Sequence, residues 1–597
     1  VKLTALDLSI IATFFALTLA TGLIFARRAK RSMLDYFLSH RSMPWWLAGT
    51  TMVATTFSAD TPLAVTEMVV KNGVAGNWLW WSMLPSGMLT VFFFARLWRR
   101  AEVVTDVELT ELRYSGKPAA FLRGFRAAYL GLVVNVIIMG WVNLGMAKVL
   151  SGTLGIQKWT ALAVCLGVTF SYTVISGYWG VAVTDGLQYC FEMGGAIVLA
   201  VVALGAVGGM DALKSKLAVA HPAGSPAGTA FGDASAALAF WPSGDALWAL
   251  PVITVAALVG LNWWASWYPG SEPGGGGYVV QNMLACRTEG DAQAAALFFN
   301  IAHYAMRSWP WVITALCSLA MYGGAVTNAT GGADPGANYV RVMVDVLPNG
   351  LRGFMIASFA AAYMSTQATQ MNWGSSYLVN DLYRRFIRPA ATDHHYVQVS
   401  RAATFITLVL SVLVTLVMDQ VSHAWEFLLM LGAGTGLVYI LRWYWWRVNA
   451  WSEVSAMASA LVTSLALRFL FDTSTPKGFA LTLIATTAIT TVVWLAVTFM
   501  TNPEPRETLQ AFYVRVRPDG KGWRQIALEA NRPGETGELA RNGVRWLLGV
   551  VLVYSIMFAT GSLLFGDMQR LAVFGLIVLA SGLGLIGMMR KPRRMAG

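Results

Sequence analysis

The sequence predicts an all-α polytopic membrane protein built on a 5+5 inverted repeat, and three observations carry that expectation. First, the 597 residues are 56% hydrophobic and only 12% charged, and the apolar residues arrive in long blocks of about 20, the length that crosses a bilayer as helix. Second, two of those blocks are interrupted by Pro and Gly at corresponding positions in two halves of the chain, the sequence sign of an inverted-repeat carrier with its site near the bilayer midplane. Third, placing the basic residues on alternating loops with the N-terminus outside puts 31 of the 43 Lys and Arg on cytoplasmic loops and 10 on external ones, as the positive-inside rule requires.

The blocks number fifteen. The first, 5–26, is expected to be a spanning helix and not a cleaved leader, because its basic cluster RRAKR follows the apolar run. With the basic loop after it, it forms an N-terminal unit, 1–43. Five blocks near 44–69, 76–97, 121–152, 158–176 and 178–208 make a first repeat, 44–208. Residues 209–245, rich in Ala, Gly, Ser and Pro, read as an external loop. A second repeat, 246–447, holds blocks near 246–283, 291–322, 350–383, 399–420 and 423–446. Two further spans occupy 448–500, a polar cytoplasmic linker 501–543, and a last pair of spans 544–597.

The interruptions are specific. In PWWLAGTTMVATTFSADTPLAV the centre TTFSADTP is polar and ends at Pro62; WALPVITVAALVGLNWWASWYPGSEPGGGGYVV carries Pro269, Gly270, Pro273 and Gly274 to Gly277. Proline removes a donor and glycine favours other backbone angles, and unwound backbone at membrane depth survives only inside protein or beside a cavity.

Composition also excludes functions. The net charge of +12 reflects topology, so no nucleic-acid partner is expected. No G-x-x-x-x-G-K-[ST] occurs, which argues against transport by an ATPase of the chain's own. Cys165, Cys190, Cys286 and Cys317 lack metal-ligand spacing and read as small core residues. Asn328-Ala329-Thr330 is a glycosylation sequon of a kind that arises often by chance.

The segment AAYMSTQATQMNWGSS, 361–376, is unusually polar for a spanning helix. At 100° per residue, Ala362, Ser365, Thr366, Thr369, Trp373 and Ser376 share one face about 100° wide. Adjacent hydroxyls, with carbonyls from an unwound partner, suit a hard cation such as sodium; hydrogen bonding between helices is the competing account.

Three stretches then carry a resemblance. The polar helix has Met364, Ser365, Thr366, Asn372, Ser375, Asp381 and Tyr383; residues 36–59 read YFLSHRSMPWWLAGTTMVATTFSA; and GYWGVAVTDGLQ, 177–188, keeps Gly177, Val181, Ala182, Thr184, Asp185 and Gln188. Together they resemble the solute:sodium symporter family, which includes bacterial sodium/galactose, sodium/proline and sialic acid symporters, over residues 5 to about 450. The resemblance implies a leucine-transporter-type 5+5 fold with one extra N-terminal and about four extra C-terminal helices. It also implies a sodium site made by the carbonyl oxygens of Ala54, Phe57 and Ala362 and the hydroxyls of Ser365 and Thr366. Asp185 matches a carboxylate on the sodium exit route. Some members have a second sodium site; Ala368 replaces one of its hydroxyls while Thr369 keeps the other, so one sodium ion is expected.

The substrate pocket is expected between the two breaks. Asp60, Thr61, Trp80, Asn262, Trp264, Glu272, His303 and Glu426 are the candidates, with Trp78 and Trp81 as possible walls or interfacial anchors. The galactose-binding pattern is not preserved: no Glu falls near Trp80 to Ser86, and the Gly-rich insertion before Tyr278 breaks the alignment of the sixth core helix; counting on from Gln281, His303 falls near the position of a sugar-contacting Lys, with the nearby proline displaced. Lys148 and Arg307 are the basic residues well inside the spans. A sugar and an amino acid fit these acids equally.

The expectation is therefore a sodium-driven symporter, not an enzyme, that imports a small polar solute as a monomer in the plasma (inner) membrane, with its C-terminus cytoplasmic. Two other readings share the sequence: a solute sensor on the same fold, and a symporter driven by protons at Asp60 or Asp185.

Overall fold

Helix follows apolar block along the computed structural model, which describes residues 3–25, 32–155, 157–220, 234–241, 250–268, 270–327, 332–418, 425, 428–429, 432–473, 475–532 and 537–589. The sequon at 328–330, Glu426, Pro269 and the RRAKR cluster lie outside the described residues. Helix α1 (Ala5–Phe25) precedes the core. The first repeat contains α2 (Trp45–Thr56), α3 (Thr61–Asn72), α4 (Val74–Ala101), α5 (Gly116–Leu154), α6 (158–176) and α7 (Gly177–Val207). The second contains α8 (Val252–Ala265), α9 (Gly277–Ala285), α10 (289–322), α11 (351–387), α12 (Asp393–Leu416) and α13 (Gly436–Tyr444).

Four more long helices follow: α14 (Ala450–Leu467), α15 (Pro476–Met500), α16 (Glu538–Leu564) and α17 (Met568–Met589). Among the described residues no strand forms, and nine helical stretches are long and apolar enough to cross a membrane unaided. The other spans are those broken by polar or glycine-rich centres, or, like α11, carry too much polarity.

Both expected breaks are present. Between α2 and α3 the chain unwinds at residues 57–60, and Pro62 falls at the start of α3, where its missing N–H costs nothing. Between α8 and α9 it unwinds over 266–268 and 270–276. The freed backbone of this second break is paired: Trp267 N–H donates to Gly432 O at 3.2 Å and Gly434 N–H to Ala265 O at 2.8 Å. Unwound chain thus pairs with unwound chain inside protein, the condition under which it is tolerated at membrane depth.

Helices α6 and α7 are continuous except at Gly177, whose φ of 58° turns the chain. Helix α1 is tied to the core rather than loose at its edge. Asp7 accepts the N–H of Gly350 at 2.7 Å and of Gly353 at 2.8 Å, so a carboxylate from α1 caps the N-terminus of α11, where an anion is favoured.

The polar linker carries short helices, Arg506–Val516 and Arg524–Glu529, and docks under the core. Trp523 Nε1 donates to Trp443 O at 2.7 Å, and the Arg113 guanidinium lies 4.9 Å from the Trp523 ring centre. At the same end Arg385 and Arg123 both bind Glu111 at 2.8 Å. Burial alone would raise the Glu111 carboxyl, but these two guanidinium groups outweigh it and hold the carboxyl below its ordinary range.

One expectation is corrected. Cys165, Cys286 and Cys317 are buried, but Cys190 lies exposed on the flank of α7. In a membrane bundle a small apolar residue is equally at home against lipid, so apolarity alone does not place it inside.

Candidate functional site

The polar helix and the first break lie against each other. Thr366 Oγ1 donates to Thr55 O at 2.8 Å and to Ala362 O at 3.0 Å, and Thr55 Oγ1 donates to Thr369 Oγ1 at 3.0 Å. Ser365 Oγ donates to Asp185 Oδ1 on α7 at 2.7 Å. Ala54 O, at the end of α2, accepts a turn-closing bond from Phe57 N–H at 2.9 Å. A carbonyl from the end of α2 and hydroxyls of the facing helix are thus brought into contact.

The polar side chains of α11 outside this face also find partners. Gln367 Nε2 donates to Met139 O and to Asn143 Oδ1, both at 2.9 Å. Asn372 Oδ1 accepts from Gln281 Nε2 at 2.7 Å. The two accounts of the polarity therefore meet on one helix: Thr366 and Thr369 bond the break, while Ser365 bonds α7 and the other faces bond neighbouring helices.

Asp185 is fully buried, and its Oδ2 has no hydrogen-bond partner among the described residues. An uncompensated carboxylate oxygen one bond from Ser365 makes this point attractive to a cation. The oxygen set is neutral and hard, with a carboxyl group beside it, which fits sodium and not a transition metal. Among the described residues no group of His, Cys, Asp and Glu is arranged to hold a metal.

Beside this point is a cavity of about 100 Å³, room for several waters or a small organic solute. Both breaks line it, through Ser58, Asp60 and Thr61 on one side and Tyr268, Gly270 and Ser271 on the other. Of the expected substrate residues, Asp60, Thr61, Trp80 and His303 line it. Asn262, Trp264 and Glu272 do not. Asn262 Nδ2 donates to Ser82 Oγ at 3.3 Å, and Trp264 Nε1 to Gly260 O at 2.8 Å within its own helix. Glu272 turns back on its own loop, where Oε2 accepts Gly270 N–H at 3.0 Å.

Trp78 and Trp81 are buried away from the cavity, packed at 5.6 Å on Tyr554 and at 6.3 Å on Phe558 respectively. Helix α16 thereby seals the flank of α4. The cavity's other walls escaped sequence reading: Trp141, Tyr278, Tyr304, Gln370 and Trp425 line it too. His303 enters through a π-helical turn, residues 301–306. Such a turn inserts an extra residue and rotates everything after it, which is why counting along a regular helix does not fix its direction.

The model of the sodium:solute symporter family matches residues 36–462. A sodium/glucose cotransporter of Vibrio parahaemolyticus is 24% identical over 492 residues, covering 78% of this chain and 86% of its own. A sodium/mannose cotransporter of Bos taurus is 24% identical over 495 residues, covering 79% and 80%. Among solved structures, a Na+-coupled sialic acid symporter in a substrate-bound outward-open state matches with a TM-score of 0.67 at 18% identity, over 84% of this chain and 99% of that one. At that identity the likeness is one of fold.

Proposed function

Because this chain belongs to the sodium:solute symporter family, and is thus a sodium-coupled membrane carrier, we propose that it imports a small polar organic solute, a sugar or an amino acid, through the cavity between its two breaks. The observation that carries the reading is the bond from Thr366 Oγ1 to Thr55 O at 2.8 Å, which joins the polar helix to the end of the broken one.

Sodium is held there by the carbonyls of Ala54, Phe57 and Ala362 and the hydroxyls of Ser365 and Thr366, one ion per cycle. By bridging α2 and α11 it favours the arrangement in which the cavity is complete, so solute meets a preformed pocket. For each charge moved inward a 100 mV potential supplies about 2.3 kcal/mol, to which the concentration gradient adds. The protein works as a monomer in the plasma membrane with its N-terminus outside, so that the basic loops and the docked linker face the cytoplasm.

Asp185 serves release. It is bonded to Ser365 and holds one oxygen free, so a departing ion exchanges a hydroxyl for a carboxylate. Asp185→Asn is expected to slow turnover about tenfold while shifting equilibrium sodium binding less than threefold; equal losses in both would put this carboxylate inside the primary site.

The whole reading is tested by uptake into proteoliposomes with sodium, potassium or pH gradients imposed separately. Accumulation driven by sodium alone is expected, and accumulation driven by pH in sodium-free medium would sink it.

A further inference from the structure

Two side chains of opposite charge line the cavity, Asp60 and Arg307. Each is 1% exposed, and among the described residues neither belongs to an ion pair. Asp60 Oδ1 accepts from Ser58 Oγ, while Oδ2 is buried with no hydrogen-bond partner among the described residues. Arg307 Nη1 donates to Val53 O at 3.1 Å and Thr56 Oγ1 at 2.9 Å, and Nη2 bonds His303 Nδ1; Nε is buried with no partner. Among the described residues the hydrogen-bond partners of Arg307 are all neutral. Lys148, the other basic residue deep in the spans, is already matched by Asp334 at 3.0 Å and takes no part in the cavity.

We propose that the transported solute is a small zwitterion, carrying a carboxylate that meets Arg307 and an ammonium group that meets Asp60. The inference rests on the sodium-symport reading of the same cavity. A buried charge left without a counter-charge is strongly unfavourable, whereas a hydrogen-bonded pair of opposite charges offsets most of that cost. Here the cavity presents two such charges that, among the described residues, form no ion pair with each other, and a molecule with both charges compensates both at once. A neutral polyol supplies hydroxyls but no counter-charge to either pole. A pure anion is repelled by Asp60, and a pure cation by Arg307.

The aromatic walls agree with the polarity. Asp60 abuts α5, where a Cβ on Gly145 would lie 3.0 Å from the Asp60 Cβ. One turn earlier on α5 is Trp141, whose ring lies 6.5 Å from Trp425; Trp425 lies 6.3 Å from Tyr268. All three rings line the cavity, and ring faces attract ammonium groups, methylated ones included. At the other pole the walls are His303 and Tyr304, with ring centres 4.4 Å apart. Primary amines and quaternary betaines share the required chemistry; only the first can donate a hydrogen bond to Asp60 Oδ2.

The test is thermal stabilisation of the purified protein in sodium and in potassium by the proteinogenic amino acids, glycine betaine, D-glucose, D-galactose and myo-inositol, followed by uptake of whichever stabilises. At least one zwitterion is expected to stabilise in sodium and not in potassium, with amino acids and betaine separating the two amine types. Arg307→Gln and Asp60→Asn should each raise the KM for that solute at least tenfold, with sodium alone still stabilising the variants as proof that they are folded. In Asp60→Asn, preference should move toward the matching acid without its amine. Stabilisation by a hexose or inositol and by no zwitterion, or by no probe while sodium alone stabilises, overturns the inference and leaves sodium symport standing. Loss of any sodium effect on either stability or uptake overturns the underlying reading as well.

Discussion

A Ser365→Ala/Thr366→Ala double variant should need about a hundredfold more sodium than the wild type for half-maximal uptake. Hydrogen bonds and ligand contacts to charged groups are worth about 1.5–3 kcal/mol each, and two lost at the lower figure give about 3 kcal/mol, or two factors of ten. Alanine is the best helix former, and both positions are fully helical and buried, so α11 is expected to fold and the protein to reach the membrane. Thr366→Ser keeps the oxygen that bonds Thr55 O and should retain near-normal sodium dependence. A wild-type sodium requirement in the double variant would mean that these hydroxyls bond neighbouring helices and do not bind the ion.

Much of the architecture was legible because its causes are local. A block of apolar residues makes a span wherever it falls, and Pro62 or the run Gly274 to Gly277 interrupts one without help from distant sequence. The polar face of α11 could be drawn from spacing alone, and its hydroxyls do meet the first break in space. What the face meets could not be drawn: the resemblance pointed to Asp185 and to the carbonyls of Ala54 and Phe57, but the residue of the break that bonds the face is Thr55, which neither spacing nor the resemblance named.

The cavity was half legible for a related reason. Asp60 and Thr61 follow a break and therefore line it, but Trp141 and Gln370 sit in regular helix, where any of several faces is possible. Glu272 shows the limit most directly. Its place in the break was right, yet its side chain is turned by a local bond to Gly270 N–H, a choice that neither composition nor spacing encodes. The partner of the second break, the 432–436 stretch LGAGTG ends in, was a missed signal: three glycines within five residues of a spanning block mark a close backbone approach.

Gly275→Val is expected to abolish uptake while leaving the amount of protein in the membrane near normal. Gly275 has φ of 79°, a conformation that a β-branched residue rarely adopts, and closes a turn in which its N–H donates to Glu272 O at 2.8 Å. A Cβ there would lie 2.7 Å from Trp98 Nε1 and 3.3 Å from Val280 Cγ2. That indole cannot simply move aside, because Trp98 Nε1 donates to Gly274 O at 2.8 Å and the ring packs on Trp443 with centres 4.8 Å apart. Backbone strain of about 1–3 kcal/mol and overpacking of about 1–3 kcal/mol therefore fall on the same residue. The cheapest relief is to shift the 266–276 break, and that displaces Tyr268, Gly270 and Ser271, which line the cavity. Membrane insertion depends on the apolar spans, none of which changes. Gly275→Ala, which adds one methyl group and no branch, should lie between the two in uptake rate. Wild-type uptake by Gly275→Val at normal expression would show that the break tolerates a side chain at this point and does not hold the pocket in shape.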